Sequence, residues 1–96
     1  MTFKQFCSLS TEQKATLKTL DISNNQIGDA GAAAIANGCP KLTTLHIWYN
    51  QIGDAGAAAI ANGCPQLKTL DIWHNQIGDA GELALRSRKP TLQLFL

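Results

Sequence analysis

Two histidines, three cysteines and seven carboxylates are the residues of this 96-residue chain with reactive chemistry to offer. Cys39 and Cys64 occupy matching Asn-Gly-Cys-Pro stretches. Such a pair could bridge or hold a metal, but structural zinc takes about four ligands and neither a His nor a third Cys stands nearby. Cysteine also packs as a small hydrophobe, so both are expected in the core. Cys7 has no assigned role. Asp29, Asp54 and Asp79 each lie in a Gly-Asp-Ala-Gly stretch. Glycines at a helix start can favour an anion, yet an aspartate there repels one, and each Asp is expected to cap its own helix. No phosphate-binding Gly-rich loop, His-Glu-x-x-His, nucleophile elbow, Cys-x-x-Cys or Asn-x-Ser/Thr sequon occurs. The expectation is a non-enzyme, with no catalytic residue, no metal and no cofactor.

The aromatic side chains are the sharper signal. Trp48, Tyr49 and Trp73 fall close together in the repeat register described below, with His74 beside them, and they are three of six aromatics (two Trp, one Tyr, three Phe). Large aromatics bury ~150–250 Å² each and dominate binding hot spots. Packing on one another across strands, recognition of a partner, and stacking on carbohydrate are the readings open to them. His46 aligns between Asp21 and Asp71. Cross-strand charge compatibility, a pH-dependent binding contact, or a metal or acid–base site would each fit that placement.

A repeat must position these residues. Leu17, Leu42, Leu67 and Leu92 are each 25 apart, and Asn25–Pro40 recurs letter for letter as Asn50–Pro65. Each unit reads L-x-x-L-x-I-x-x-N-x-I-G-D-A-G. Periods of ~20–50 residues mean stacked units. Alternation in Leu-Lys-Thr-Leu-Asp-Ile-Ser turns Leu20 and Ile22 inward and Thr19, Asp21 and Ser23 outward, as in a half-buried strand. Asn25, Asn50 and Asn75 are expected as a buried ladder serving the backbone. A short helix is expected over 30–36, ended by Asn37-Gly38 and Pro40, with Ala32, Ala33 and Ala34 letting neighbouring helices approach. The copies differ mainly at outward strand positions: Asp21/His46/Asp71, Ser23/Trp48/Trp73 and Asn24/Tyr49/His74. A copied scaffold with diversified strand tips is the pattern of a binding face.

These units resemble leucine-rich repeats over Leu17 to Pro90. The Asn-x-Ile-Gly-Asp-Ala-Gly stretch is similar to ribonuclease-inhibitor-type repeats, which occur in inhibitors, innate receptors and some bacterial effectors. Ile35–Leu45 (IANGCPKLTTL) is similar to the cysteine-containing repeats of F-box substrate receptors. The resemblance implies an α/β leucine-rich repeat solenoid of about three units, a short right-handed horseshoe with parallel strands on the concave face and helices on the convex. It also implies a concave sheet that binds protein or peptide. The expected contacts are Thr44, His46, Trp48, Tyr49, Thr69, Asp71, Trp73 and His74. Three short strands cover only roughly 240 Å² before side chains, against ~800 Å² per partner in a standard interface. That footprint suits a short peptide or a part in a larger assembly.

The expected organisation is a single domain with a capping segment over 1–16, repeats over 17–41, 42–66 and 67–91, and a partial strand over 92–96. Phe3, Phe6 and Leu9 would cover the first repeat, and Ser10–Gln13 has the form of a capping box. Glu82, Arg86, Arg88 and Lys89 look like a polar end face, with Lys89 in the slot of Cys64 facing solvent. Leu92, Leu94, Phe95 and Leu96 would leave an apolar edge strand, a template for self-association. The alternative function is therefore a self-assembling repeat fragment without an external ligand, or a fragment of a larger effector or receptor. Net charge of +1 and 16% charged residues argue against nucleic acid and membrane partners. An odd cysteine count without a signal segment points to the cytoplasm, or to a host cytosol for a bacterial effector.

Overall fold

The computed structural model describes residues 1–96. Its elements run α1 (Phe3–Cys7), α2 (Thr11–Thr16), β1 (Thr19–Asp21), α3 (Gly28–Gly38), β2 (Thr44–His46), α4 (Asp54–Gly63), β3 (Thr69–Asp71), α5 (Asp79–Arg88) and β4 (Gln93–Phe95). The four strands form one parallel sheet in the order β1-β2-β3-β4. Parallel neighbours need a crossover, and α3, α4 and α5 supply the three crossovers. Leu20, Leu45, Leu70 and Leu94 align across the sheet. With Ile22, Ile47 and Ile72 they fill the core between sheet and helices.

The asparagine ladder forms, and it links one repeat to the next. Asn25 N–H donates to Asn50 Oδ1 at 2.7 Å, and Asn50 N–H to Asn75 Oδ1 at 2.9 Å. Asn50 Nδ2 returns bonds to the carbonyls of Ile22, Ile47 and Trp48. Only Asn50 is fully buried, and it alone lies between two other asparagines of the ladder.

The aspartates act differently from the sequence expectation. No side chain caps α3, whose N-cap is Ile27. Asp29 instead accepts from Gly53 N–H (2.7 Å) and Gly56 N–H (3.0 Å), at the start of α4. Asp54 does the same for Gly78 and Gly81 at the start of α5. Each carboxylate thus caps the helix of the following repeat. A carboxylate close to these free N–H groups also meets the positive end of that helix dipole. The first repeat receives no such cap; Gly28, at φ +62, donates to the Asn50 carbonyl instead.

Three further expectations need correction. α3 runs through Asn37 and Gly38, because Cys39 N–H still donates to the Ile35 carbonyl; the chain leaves the helix there, ahead of Pro40. Of the proposed Ala face, Ala32 is buried but Ala34 is exposed. Close helix approach uses Ala32 against Gly56 and, outside the expected face, Ala36 against Gly63, where an added Cβ would lie 3.1 Å from the Ala32 Cβ and 2.7 Å from the Ala36 Cβ. Lys89 is not on the surface: it is only 9% exposed, and its ammonium donates to the Cys64 carbonyl. Its aliphatic stem fills the slot that Cys64 fills one repeat earlier, while the head finds an acceptor.

At the N-terminal end Phe6 is buried, and Phe3 and Leu9 pack against the core beside it. Both short helices begin with capping boxes, Thr2 with Gln5 and Ser10 with Gln13. Phe3 N–H donates to Asn25 Oδ1, so the segment takes the first place in the ladder. No helix is long and apolar enough to cross a membrane.

Candidate functional site

The outward side chains of the sheet form rows across the strands. Thr19, Thr44, Thr69 and Gln93 make one row, and Asp21, His46, Asp71 and Phe95 the next. Within the second row His46 Nδ1 lies 3.6 Å from Asp71 Oδ2, and both side chains are partly exposed. Asp21 is turned to its own chain, accepting from Ser23 N–H at 3.2 Å. His46 therefore faces one carboxylate, that of Asp71. This geometry offers charge matching across strands.

Backbone bonding continues past the strands and sets the third row. Asn24 N–H donates to the Trp48 carbonyl, and Tyr49 N–H to the Trp73 carbonyl. Trp48 and Trp73 therefore stand in register and stack, with centroids 5.5 Å apart and planes 29° apart. Strict alternation would turn the next residue inward. Asn24, Tyr49 and His74 escape it by adopting left-handed φ values of 60, 56 and 53. That conformation is costly for bulky residues, and here the turn into the Asn ladder holds it. Tyr49 and His74 consequently emerge beside the Trp pair and stack on each other at 4.4 Å and 11°. Trp73 also lies 4.0 Å from His74, and Tyr49 packs edge-on to both Trp rings. The four rings form one cluster, with Tyr49 48% and Trp73 37% exposed.

The eight residues expected at the contact face fall on this surface, with Thr44 and Thr69 at one end and the rings at the other. Leu92 and Leu94 are half-buried against the core, while Phe95 and Leu96 are 54% and 45% exposed. A 25-residue count from Leu70 leads to Phe95, but Leu94 takes the inward slot because the chain is one residue shorter here. Phe95 is thereby turned outward, next to Asp71. Asp71, Trp73, Leu94, Phe95 and Leu96 line one cleft of about 470 Å³. The tail and the aromatic face, separate in the sequence, are thus continuous.

Sequence reasoning also missed a polar groove of about 480 Å³ at the other side of the rings, where Tyr49 and His74 meet Gln26, Gln51 and Gln76. The 25-residue spacing of those glutamines was the available signal. Cys39 and Cys64 are buried, as expected, and Cys7 is exposed. Desolvation pushes the Cys64 thiol up to about 11, with Lys89 acting against it, and raises Cys39 as well. Such thiols are poor nucleophiles and poor metal ligands.

A family model described as Leucine Rich repeats (2 copies) matches residues 15–62 and 40–85. Comparison with curated proteins gives no significant match. The matched span includes β1 to β3 and the helices that join them, and the parallel sheet with alternating helices is the architecture this family builds. The chain belongs to the leucine-rich repeat family.

Proposed function

We propose that the chain is a protein- or peptide-binding module whose contact face is the outer surface of the sheet. Thr44, His46, Trp48, Tyr49, Thr69, Asp71, Trp73 and His74 make the contacts, and the two Trp are the anchors. Leucine-rich repeats commonly serve as interaction modules, and the observation that carries the reading here is the ring cluster. Four rings gather where the repeats differ from one another, and they remain partly exposed although they pack together. Packed rings lose little further side-chain freedom on binding, which suits them to anchor a partner. Catalysis, nucleic acid and membrane have no part in this reading. Three free thiols fit a reducing, cytoplasmic setting or a host's cytosol. Residues 1–16 serve as a cap, the units 17–41, 42–66 and 67–91 as the binding scaffold, and 92–96 as a further strand. The test is retention of proteins from lysate by the wild type and by the Trp48→Ala/Trp73→Ala variant. Proteins held by the wild type are expected to be lost from the variant; equal retention overturns the reading.

A second reading has its own observation. β4 pairs only with β3, and Phe95 and Leu96 are exposed beside its free edge. An apolar edge strand templates pairing with another chain. Self-association through Leu92, Leu94, Phe95 and Leu96 would make the chain a structural repeat piece without an external ligand, or part of a larger effector or receptor. Light scattering across a concentration series distinguishes it. A monomer at every concentration removes it, and oligomers that vanish on Phe95→Lys support it.

A further inference from the structure

The cleft on the β4 side of the outer face is lined by a carboxylate that the chain satisfies only in part. Asp71 Oδ2 faces His46, but its other oxygen, Oδ1, is buried and receives no hydrogen bond. Asp21, in the matching slot of β1, has its Oδ1 engaged by Ser23 N–H. A buried acceptor without a donor costs about 1–3 kcal/mol, more when charged, so the chain leaves part of the Asp71 carboxylate's accepting capacity unused. No lysine or arginine of the chain pairs with Asp71: the ion pairs are His46–Asp71 and Arg86–Glu82, the latter on α5. Phe95 stands beside Asp71 on the neighbouring strand, and Trp73 follows two residues along β3. Both line the cleft with Asp71. Aromatic faces attract cations, and a carboxylate between two such faces selects one.

A guanidinium fits these groups better than an ammonium. It is planar and stacks on a ring, it is weakly hydrated, and it can give a carboxylate two parallel N–H donors. The Asp71 side chain is 20% exposed, so a donor reaches its carboxylate from the cleft that it lines. We propose that this cleft is an arginine subsite, taking the guanidinium of an Arg side chain on the protein or peptide partner; the inference rests on the partner-binding reading above. Across the sheet this row reads Asp21, His46, Asp71 and Phe95, two carboxylates and no lysine or arginine.

The test is a tryptophan-fluorescence titration with a blocked alanine pentapeptide carrying one central arginine, beside the same peptide with glutamine or glutamate there. Trp73 lines the cleft and Trp48 stacks on it, so occupancy changes the signal. The arginine peptide alone is expected to bind, more weakly as salt rises. Asp71→Asn is expected to weaken it about tenfold, given the combined charge and ring contacts. Asp79→Asn, at the start of α5 and away from the cleft, is expected to leave it unchanged. Equal binding of the three peptides, with loss on Trp73→Ala, overturns the arginine subsite and leaves the partner face standing. Arginine-peptide binding that is indifferent to Asp71→Asn overturns it as well. If no peptide binds, the subsite falls, while the lysate comparison decides the partner face separately.

Discussion

Asp29, Asp54 and Asp79 have the same local sequence and unequal partners, which makes them a built-in comparison. Asp29 and Asp54 each hold two N–H groups of the next helix, whereas no further helix of this kind receives Asp79. Asp29→Ala and Asp54→Ala are expected to cost about 0.5–2 kcal/mol each, as for a lost helix cap, and Asp79→Ala close to nothing. Urea titrations of the three variants check this; equal losses would contradict capping between repeats. The destination of these carboxylates was not legible in the sequence. An Asp at a helix start has the same spelling whether it caps its own helix or a neighbour's. Lys89 hid its burial for a similar reason, since a long stem and a charged head read as surface until a carbonyl is placed above them. Thiol chemistry gives a second measurement. Cys7 is exposed while Cys39 and Cys64 are buried, so a thiol reagent should label Cys7 alone in the native state and all three cysteines in denaturant.

At the scale of the element, glycines mark where helix starts meet their neighbours. A Cβ on Gly56 would lie 2.6 Å from Ile52 Cγ2 and 2.7 Å from Asp29 Oδ1, whereas one on Gly38 meets nothing nearer than Lys14 Cδ at 3.6 Å. Gly56→Ala is expected to destabilise by about 1–3 kcal/mol through overpacking, and Gly38→Ala to be neutral or slightly stabilising. Thermal melts of the two variants separate steric crowding from a general effect of glycine replacement. Asn50→Ala should cost about 3 kcal/mol or more, because it leaves several buried backbone groups without partners; a denaturant titration measures it. The elements themselves were largely legible. Inward leucines at 25-residue spacing fixed the strands and their register through β3. The tail was not, since one missing residue between Leu92 and Leu94 turns Phe95 outward and leaves the alternating pattern intact. The ring cluster was legible as a group, because Trp48, Tyr49, Trp73 and His74 share repeat slots. Its geometry was not: left-handed φ at Tyr49 and His74 comes from the turn into the ladder, which no property of tyrosine or histidine announces.

For the whole molecule, the column of buried side chains beneath the helix ends ties stability to alkaline pH. Burial raises the thiols of Cys39 and Cys64, the latter to about 11, and lowers the Lys89 ammonium. Above the ordinary thiol value of 9.0, the unfolded chain releases thiol protons that the folded chain keeps, so these groups withdraw stability as pH rises toward 11. Lys89 has the opposite sign: its buried charge opposes folding at neutral pH, and that penalty fades as pH climbs toward 10.5. The thiol contribution is the one that Cys64→Ala removes, so that variant should lose less stability than the wild type between pH 8 and 10.5, as denaturant midpoints measure. The exchange between neighbours has a consequence of another kind. A carboxylate is given forward and an amide backward at each junction, and the junctions between successive units are built from the same residues. Each unit therefore ends in a standard fitting. Excising residues 42–66 would bring Asn25 to Asn75 and Asp29 to Gly78, rebuilding the same joint in a shorter molecule. The fittings also accept a neighbour one unit out of place, or one lent by another chain. Faithful assembly then rests on the few residues that differ between copies, so the positions that diversify the outer face also help each unit find its own neighbour.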